Sequence, residues 1–344
     1  MRTLNRLGLL VAGAWLLLAA TAPAHADGIG KFNELVKSKL PPDSLTFKSS
    51  KALGDNGFEL DDVIVTPPPD ATAGAKAQPI KAKSITVDEV DFDSIAKQAP
   101  PNFLKMRIQG VDVDNQPAAG IDLHALAGID KLSADFQFDY RLDPAKKTLT
   151  VNRIEIDLNG LARLEMSMVL DNFDAAQPDK ATNDATLRTA SIVYDDHSLL
   201  AKALPAAAKS AMQTDDPAAM IGLAKTFLDA MRAGQSDATQ RVFDAVESYL
   251  EDYKSPKGPL RLTFSPADKT SVATITGAKG ADDVIKALGL KVDYAGTRKM
   301  DVAAPAPATP SGGGVGDAAK AAGKPGTKDE DDDDDATKDV TKGK

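Results

Sequence analysis

An apolar pattern that breaks step in mid-strand constrains this chain more than any other feature. It reads Φ-x-Φ-x-x-Φ-x-Φ, with Φ apolar, and it occurs four times. The copies are Phe58, Leu60, Val63, Val65; Ile85, Val87, Val90, Phe92; Met106, Ile108, Val111, Val113; and Leu149, Val151, Ile154, Ile156. Asp61-Asp62, Asp88-Glu89, Gln109-Gly110 and Asn152-Arg153 fill the gaps. Alternation marks a strand with one buried face. An extra residue would turn the second doublet to solvent unless a β-bulge absorbs it. Bulges bend strands and increase their twist, so the repeat predicts a curved sheet whose concave face can hold something.

Residues 1–26 read as a secretory leader. Arg2 and Arg6 make a basic start, Leu7 to Ala20 is apolar but short for a membrane span, and Ala24-His25-Ala26 is an A-x-A cleavage site. The expected mature chain begins at Asp27, with no integral membrane span, and is periplasmic or secreted. It has no cysteine, so it forms no disulfides in an oxidising compartment. Loss of Arg2 and Arg6 takes the net charge from −9 to −11. That balance argues against nucleic acid as a partner and against docking on anionic lipid by charge alone.

The remaining chain divides by pattern. Residues 27–43 predict an N-terminal helix with Phe32, Leu35, Val36 and Leu40 at helical spacing before Pro41-Pro42. Residues 44–194 predict a β-rich meander. Within it, Leu132 to Leu142 alternates without a break, Asp143 to Lys147 makes a turn, and Asn159-Gly160 makes another before Leu161 to Leu170. Leu187 to Tyr194 adds a strand. Residues 195–255 predict three helices apolar on one side, started by Asp196, by Asp216-Pro217 and by Ser236. Residues 256–296 return to strands at Leu260 to Phe264, Val272 to Thr276 and Leu290 to Tyr294, with a short helix from Ala281 to Leu288. Residues 297–344 are Ala/Pro/Gly-rich, then acidic from Asp329 to Asp335, a composition that stays disordered. The expected class is α+β: a curved, largely antiparallel sheet with bulged strands, packed by three amphipathic helices, with a disordered tail.

Chemical constellations are scarce. His124 and His197 fall in different segments, and no zinc-binding, EF-hand, nucleophile-elbow or P-loop spacing occurs. The sequence therefore predicts no catalytic residue, no metal and no cofactor. Asp88, Glu89, Asp91 and Asp93 read as a solvated strand face. The functional signal that remains is apolar. Met106, Phe136, Phe138, Tyr140, Met166 and Met168 are expected on one side of the meander. Two readings stay open for them: a groove for an apolar ligand such as a lipid chain, adaptable through methionine, or a core filled by the helices.

The repeats, Phe58-x-Leu60-x-x-Val63-x-Val65 and its copies, resemble the strand pattern of proteobacterial envelope proteins of the AsmA, YdgA-like (DUF945) and DUF2125 type, over residues 44–194. That resemblance implies a mostly β protein reached through a signal or anchor, in a setting of envelope lipid handling. It carries over no catalytic residue. The expected function is binding or transfer of an apolar ligand, without catalysis. The alternative is a structural or assembly module that binds other envelope proteins through sheet edges or its helical face.

Overall fold

The computed structural model describes residues 27–67, 79–112, 132–177, 184–268, 270–271 and 280–299. All of them lie in one unit, Met1–Asp301. The predicted leader, His124, Val113, the strand Val272 to Thr276 and the acidic tail lie outside the described residues.

The chain opens with helix α1 (Gly28–Leu35), started by the Asp27 carboxylate, which accepts from the Gly30 N–H at 2.6 Å. A 3₁₀ turn, Lys37–Lys39, follows. Strands β1 (Leu45–Thr46) and β2 (Ser49–Ala52) share one edge of β3 (Phe58–Val65). Then come β4 (Ile80–Val90), helix α2 (Phe92–Ala96), β5 (Phe103–Asp112), β6 (Ser133–Asp143), β7 (Thr148–Leu158), β8 (Ala162–Asp171) and β9 (Thr186–Asp196). Helices α3 (Leu199–Met212), α4 (Pro217–Arg232) and α5 (Asp237–Glu251) precede β10 (Leu260–Phe264), β11 (Thr270–Ser271), α6 (Ala281–Leu288) and β12 (Leu290–Asp293). The strands form one antiparallel, curved and unclosed sheet of 12, and the described residues include six α-helices. From β3 to β10 consecutive strands pair, so the sheet is a long meander, with β12 following β10 and β11 pairing with β9.

Three of the four predicted breaks are register shifts. One falls between Val87 and Glu89 of β4, one between Ile108 and Val111 of β5, and one between Val151 and Ile154 of β7. In β5 the extra residue is accommodated by Gly110, whose φ is 61°. Its N–H donates to the Asp135 carboxylate at 2.7 Å, and a Cβ there would lie 2.9 Å from the Lys83 Cβ. The first copy differs from expectation. The β3–β4 ladder keeps its register from Phe58 to Val65. Instead Asp62 takes the left-handed conformation (φ 49°), which aspartate tolerates, and both Leu60 and Val63 stay buried at 1 % exposure. In the second copy Phe92 begins α2 and is not a strand residue. A shift at β8–β9 was not anticipated: Val169 faces Thr189 and Leu170 faces Leu187, leaving Arg188 as the extra residue.

Two buried clusters hold the ends of the sheet. At the first, α1 and α2 lie against the early strands. Phe32 stacks on Phe58 at 4.4 Å, and Phe92 stands 6.4 Å from Phe58. Val63, Val87, Val90 and Leu104 complete this core. At the second, Tyr249 of α5 meets Tyr194 and Tyr294 edge-on at 6.0 and 5.0 Å, with Leu260 and Val292 packed alongside. Of the three helices between β9 and β10, α5 is the one that lies over β10 and β12, while α3 packs on α4 and α4 on α5. The α4–α5 seam is ionic: the buried Arg232 side chain pairs with Asp244 and, at 2.8 Å, with Glu247. The segment after β12 is clasped to α5 by Arg298, which reaches Glu251 at 3.0 Å and Asp252 at 3.1 Å.

Asp91 departs from the expected solvated face. It is 8 % exposed and accepts four hydrogen bonds, from the Ser94 N–H and hydroxyl and from the Asn102 N–H and side-chain amide. It caps α2 and ties that helix to the start of β5. Burial opposes its charge, but these donors outweigh it and hold the carboxyl below its ordinary 3.8.

A depressed carboxylate pKa contributes stability that is complete above the unfolded value and lost as pH falls through the folded one. Asp91→Ala should therefore cost about 1–3 kcal/mol at neutral pH, and the gap to wild type should narrow on titration below about pH 4. Urea unfolding across pH checks this. Gly110→Ala, which forces a side chain into a left-handed bulge, should cost about 1–2 kcal/mol, read as a fall of several degrees in Tm.

Candidate functional site

In an antiparallel pair, directly opposed residues point to the same face. The register therefore assembles rows of side chains that run across the strands. One row is Ile85, Ile108, Phe136, Ile156, Leu164, Tyr194 and Leu260. The next is Val87, Met106, Phe138, Ile154, Met166, Ile192, Leu262 and Val292. The third is Val90, Leu104, Tyr140, Val151, Met168, Ala190, Phe264 and Leu290. Every position in all three rows is apolar or tyrosine. The bulges make this continuity. Without the extra residues in β4 and β7, Val90 and Ile154 would point to the other face.

The opposite face is ionic. Arg107 pairs with Asp88 at 3.0 Å, Arg141 with Glu89 at 2.7 Å, Arg153 with Glu165 at 3.4 Å, and Arg163 with Asp157 at 3.5 Å. Arg188 holds Asp171 with two donors, the Nε contact being 3.0 Å. An open depression of about 800 Å³ lies on this face, over β4 to β7.

The six residues expected on one face do share it, but they divide by environment. Met106, Phe136, Phe138 and Tyr140 pack against the first core. The Tyr140 hydroxyl donates to the Pro101 carbonyl at 2.9 Å, and burial, with the Asp91 charge nearby, pushes its pKa up to about 12. Met166 and Met168 lie further along, on β8. There they join Ile154 and Ile156 on β7, known from the fourth repeat but not among the expected site residues, together with Leu164 on β8 and Ile192 on β9. These six belong to neither buried cluster, and all are partly exposed. The central strip of the apolar face thus lies between the two cores. The signal that identifies it is register, which the alternation of a single strand does not carry.

His197 stands exposed beside Asp195, with Nε2 3.5 Å from Oδ2. Among the described residues no three His, Asp or Glu side chains gather as metal ligands, and no helix is long and apolar enough to cross a membrane. Among them too, large apolar side chains stand out on the helices: Leu223 at 61 % and Phe227 at 65 % exposure, one turn apart on α4, and Met212 at the end of α3.

A family model described as "uncharacterized protein" matches residues 155–295, from the second half of β7 to just past β12. No curated protein matches the chain.

The division between strip and core has a measurable consequence. Ile154→Asp, on the strip, should cost no more than about 2 kcal/mol, because the new carboxylate reaches water; Leu60→Asp should cost more than about 4 kcal/mol, because it does not. Urea denaturation of the two variants gives the comparison.

Proposed function

We propose that this chain is a non-enzymatic protein of the bacterial envelope, exported by its leader to the periplasm or beyond, that holds or passes on a lipid chain along the central strip of its apolar face. The observation that carries this reading is the uninterrupted set of three apolar rows with partly exposed side chains between the two cores. Three strands, β7 to β9, spaced at about 4.8 Å, make the strip about 10 Å wide, and its three rows, about 6.8 Å apart along the strands, make it about 14 Å long. Half of a hydrocarbon core of about 30 Å is about 15 Å, the reach of one acyl chain. Met106, Met166 and Met168 give the surface the adaptability suited to a flexible chain. The resemblance of residues 44–194 to AsmA, YdgA-like and DUF2125-type proteins agrees with this setting. The non-enzymatic part rests on the sequence, which lacks cysteine and any recognisable catalytic spacing.

The second reading, an assembly module that binds an envelope protein, draws on the exposed Leu223 and Phe227 of α4. It predicts that Phe227→Glu abolishes partner capture and leaves lipid content unchanged.

The test is lipid extraction and native mass spectrometry of protein purified from its exporting host. The lipid reading predicts a co-purified lipid that Met166→Asp and Ile154→Asp remove without unfolding the chain. In a fatty-acid series, each added methylene should improve affinity by about two- to fourfold, the value of partial to full burial at about 0.8 kcal/mol per CH₂. Lipid-free protein that binds no fatty acid of any length would overturn the reading.

A further inference from the structure

We infer that the ionic face carries a second binding site, a trough for a neutral oligosaccharide, independent of the apolar strip. Its location follows from two of the bulges. A bulge re-aims side chains at the point where it inserts. In β4 it brings Asp88 to Arg107, at 3.0 Å, and Glu89 to Arg141. In β7 it sends Asn152 to Asp139 at 2.9 Å and Arg153 to Gln137 at 3.3 Å. The depression of about 800 Å³ lies between these two bulges. Its floor is β5 and β6, and its ends are Asp88 on one side and Asn152 and Arg153 on the other. Met106 and Phe138, whose side chains belong to the apolar face, complete the lining. Four strands at about 4.8 Å spacing make it about 14 Å across, room for a di- or trisaccharide.

The lining chooses the ligand class. Asp88, Asp139, Gln137, Asn152, Arg107 and Arg153 all end in planar groups that offer two coplanar donors or acceptors. Vicinal hydroxyls, each both donor and acceptor, match such pairs. The charges are already balanced within the face. Arg107 and Lys105 both face Asp88, and Arg153 faces Glu155 at 3.6 Å and Glu165 at 3.4 Å. A multiply charged anion would have to displace these carboxylates, whereas an uncharged polyol inserts among them. The side chains of Arg107 and Arg153 are 44 % and 45 % exposed, so the contacts are made in water and the affinity is weak, on the order of millimolar.

Titration of the folded chain by protein-observed NMR tests the site, with maltotriose, cellotriose and chitotriose as neutral probes and inositol hexakisphosphate as a polyanion. The proposal predicts that at least one trisaccharide binds, with an affinity that salt leaves unchanged. The double variant Gln137→Ala, Asn152→Ala should weaken it about tenfold, the loss of one or two hydrogen bonds, while Tm stays within a few degrees. Arg153→Gln, which keeps a planar amide, should weaken it less. No binding by any trisaccharide, binding that these variants leave unchanged, or binding of inositol hexakisphosphate alone with steep salt dependence would each overturn the proposal.

Discussion

The register between strands is the constraint on which the rest of this protein depends. Side chains alternate with a period of two, so one unmatched residue exchanges the faces of everything beyond it. Here β4, β5, β7 and β9 each carry an extra residue relative to a neighbour. Each insertion falls where it keeps the apolar positions in step: Val90 stays beside Leu104, Val151 beside Met168, and Leu187 beside Leu170. Remove one, and a row of Val, Ile and Met would trade places with Arg and Asp. The cost of turning those charges into an apolar layer is several kcal/mol for each uncompensated group. The bulges are thus what makes one face apolar and the other ionic over so many strands.

The two cores hold the sheet at its ends and leave its middle to itself. Phe32, Phe58 and Phe92 close one end under α1 and α2, with Asp91 as the polar anchor. Tyr194, Tyr249 and Tyr294 close the other under α5, where burial raises the phenol pKa of Tyr194 and Tyr249. Of the helices that stood as candidates to fill the apolar face, α5 covers the β10–β12 end, with Leu200 of α3 beside it, while α3 and α4 pack on one another and the α4–α5 seam is made by Arg232 with Asp244 and Glu247. Ile154, Leu164, Met166 and Ile192 lie between the cores and in neither of them. A sheet built in this way has a solid frame and a central apolar surface, which is the geometry that the lipid reading uses.

Much of this was legible in sequence. The Φ-x-Φ-x-x-Φ-x-Φ pattern located bulges in β4, β5 and β7 because it records the change of phase directly. It misread Asp61-Asp62, since a left-handed aspartate changes the phase without adding a residue against the partner strand. It did not reveal Arg188, where no doublet flanks the insertion. Alternation places Asp91 with Asp88 and Glu89 because it is blind to a helix that begins two residues after a strand. The Arg232 cluster was invisible because its partners, Asp244 and Glu247, come from another helix and meet it only through packing. The apolar site was half legible. Aromatic and methionine side chains drew attention to Met106, Phe136, Phe138, Tyr140, Met166 and Met168, but which of them a core covers depends on register and on where the helices rest.

The central claim is that the strip around Met166 and Met168 meets an apolar ligand. The most direct measurement is NMR of methionine methyl groups during titration with a long-chain fatty acid. The account predicts that the Met166 and Met168 methyl resonances shift together and saturably, with Met106 responding less because it packs against the first core. Shifts confined to Met212 and Met220 on the helices, with Met166 and Met168 unmoved, would contradict it.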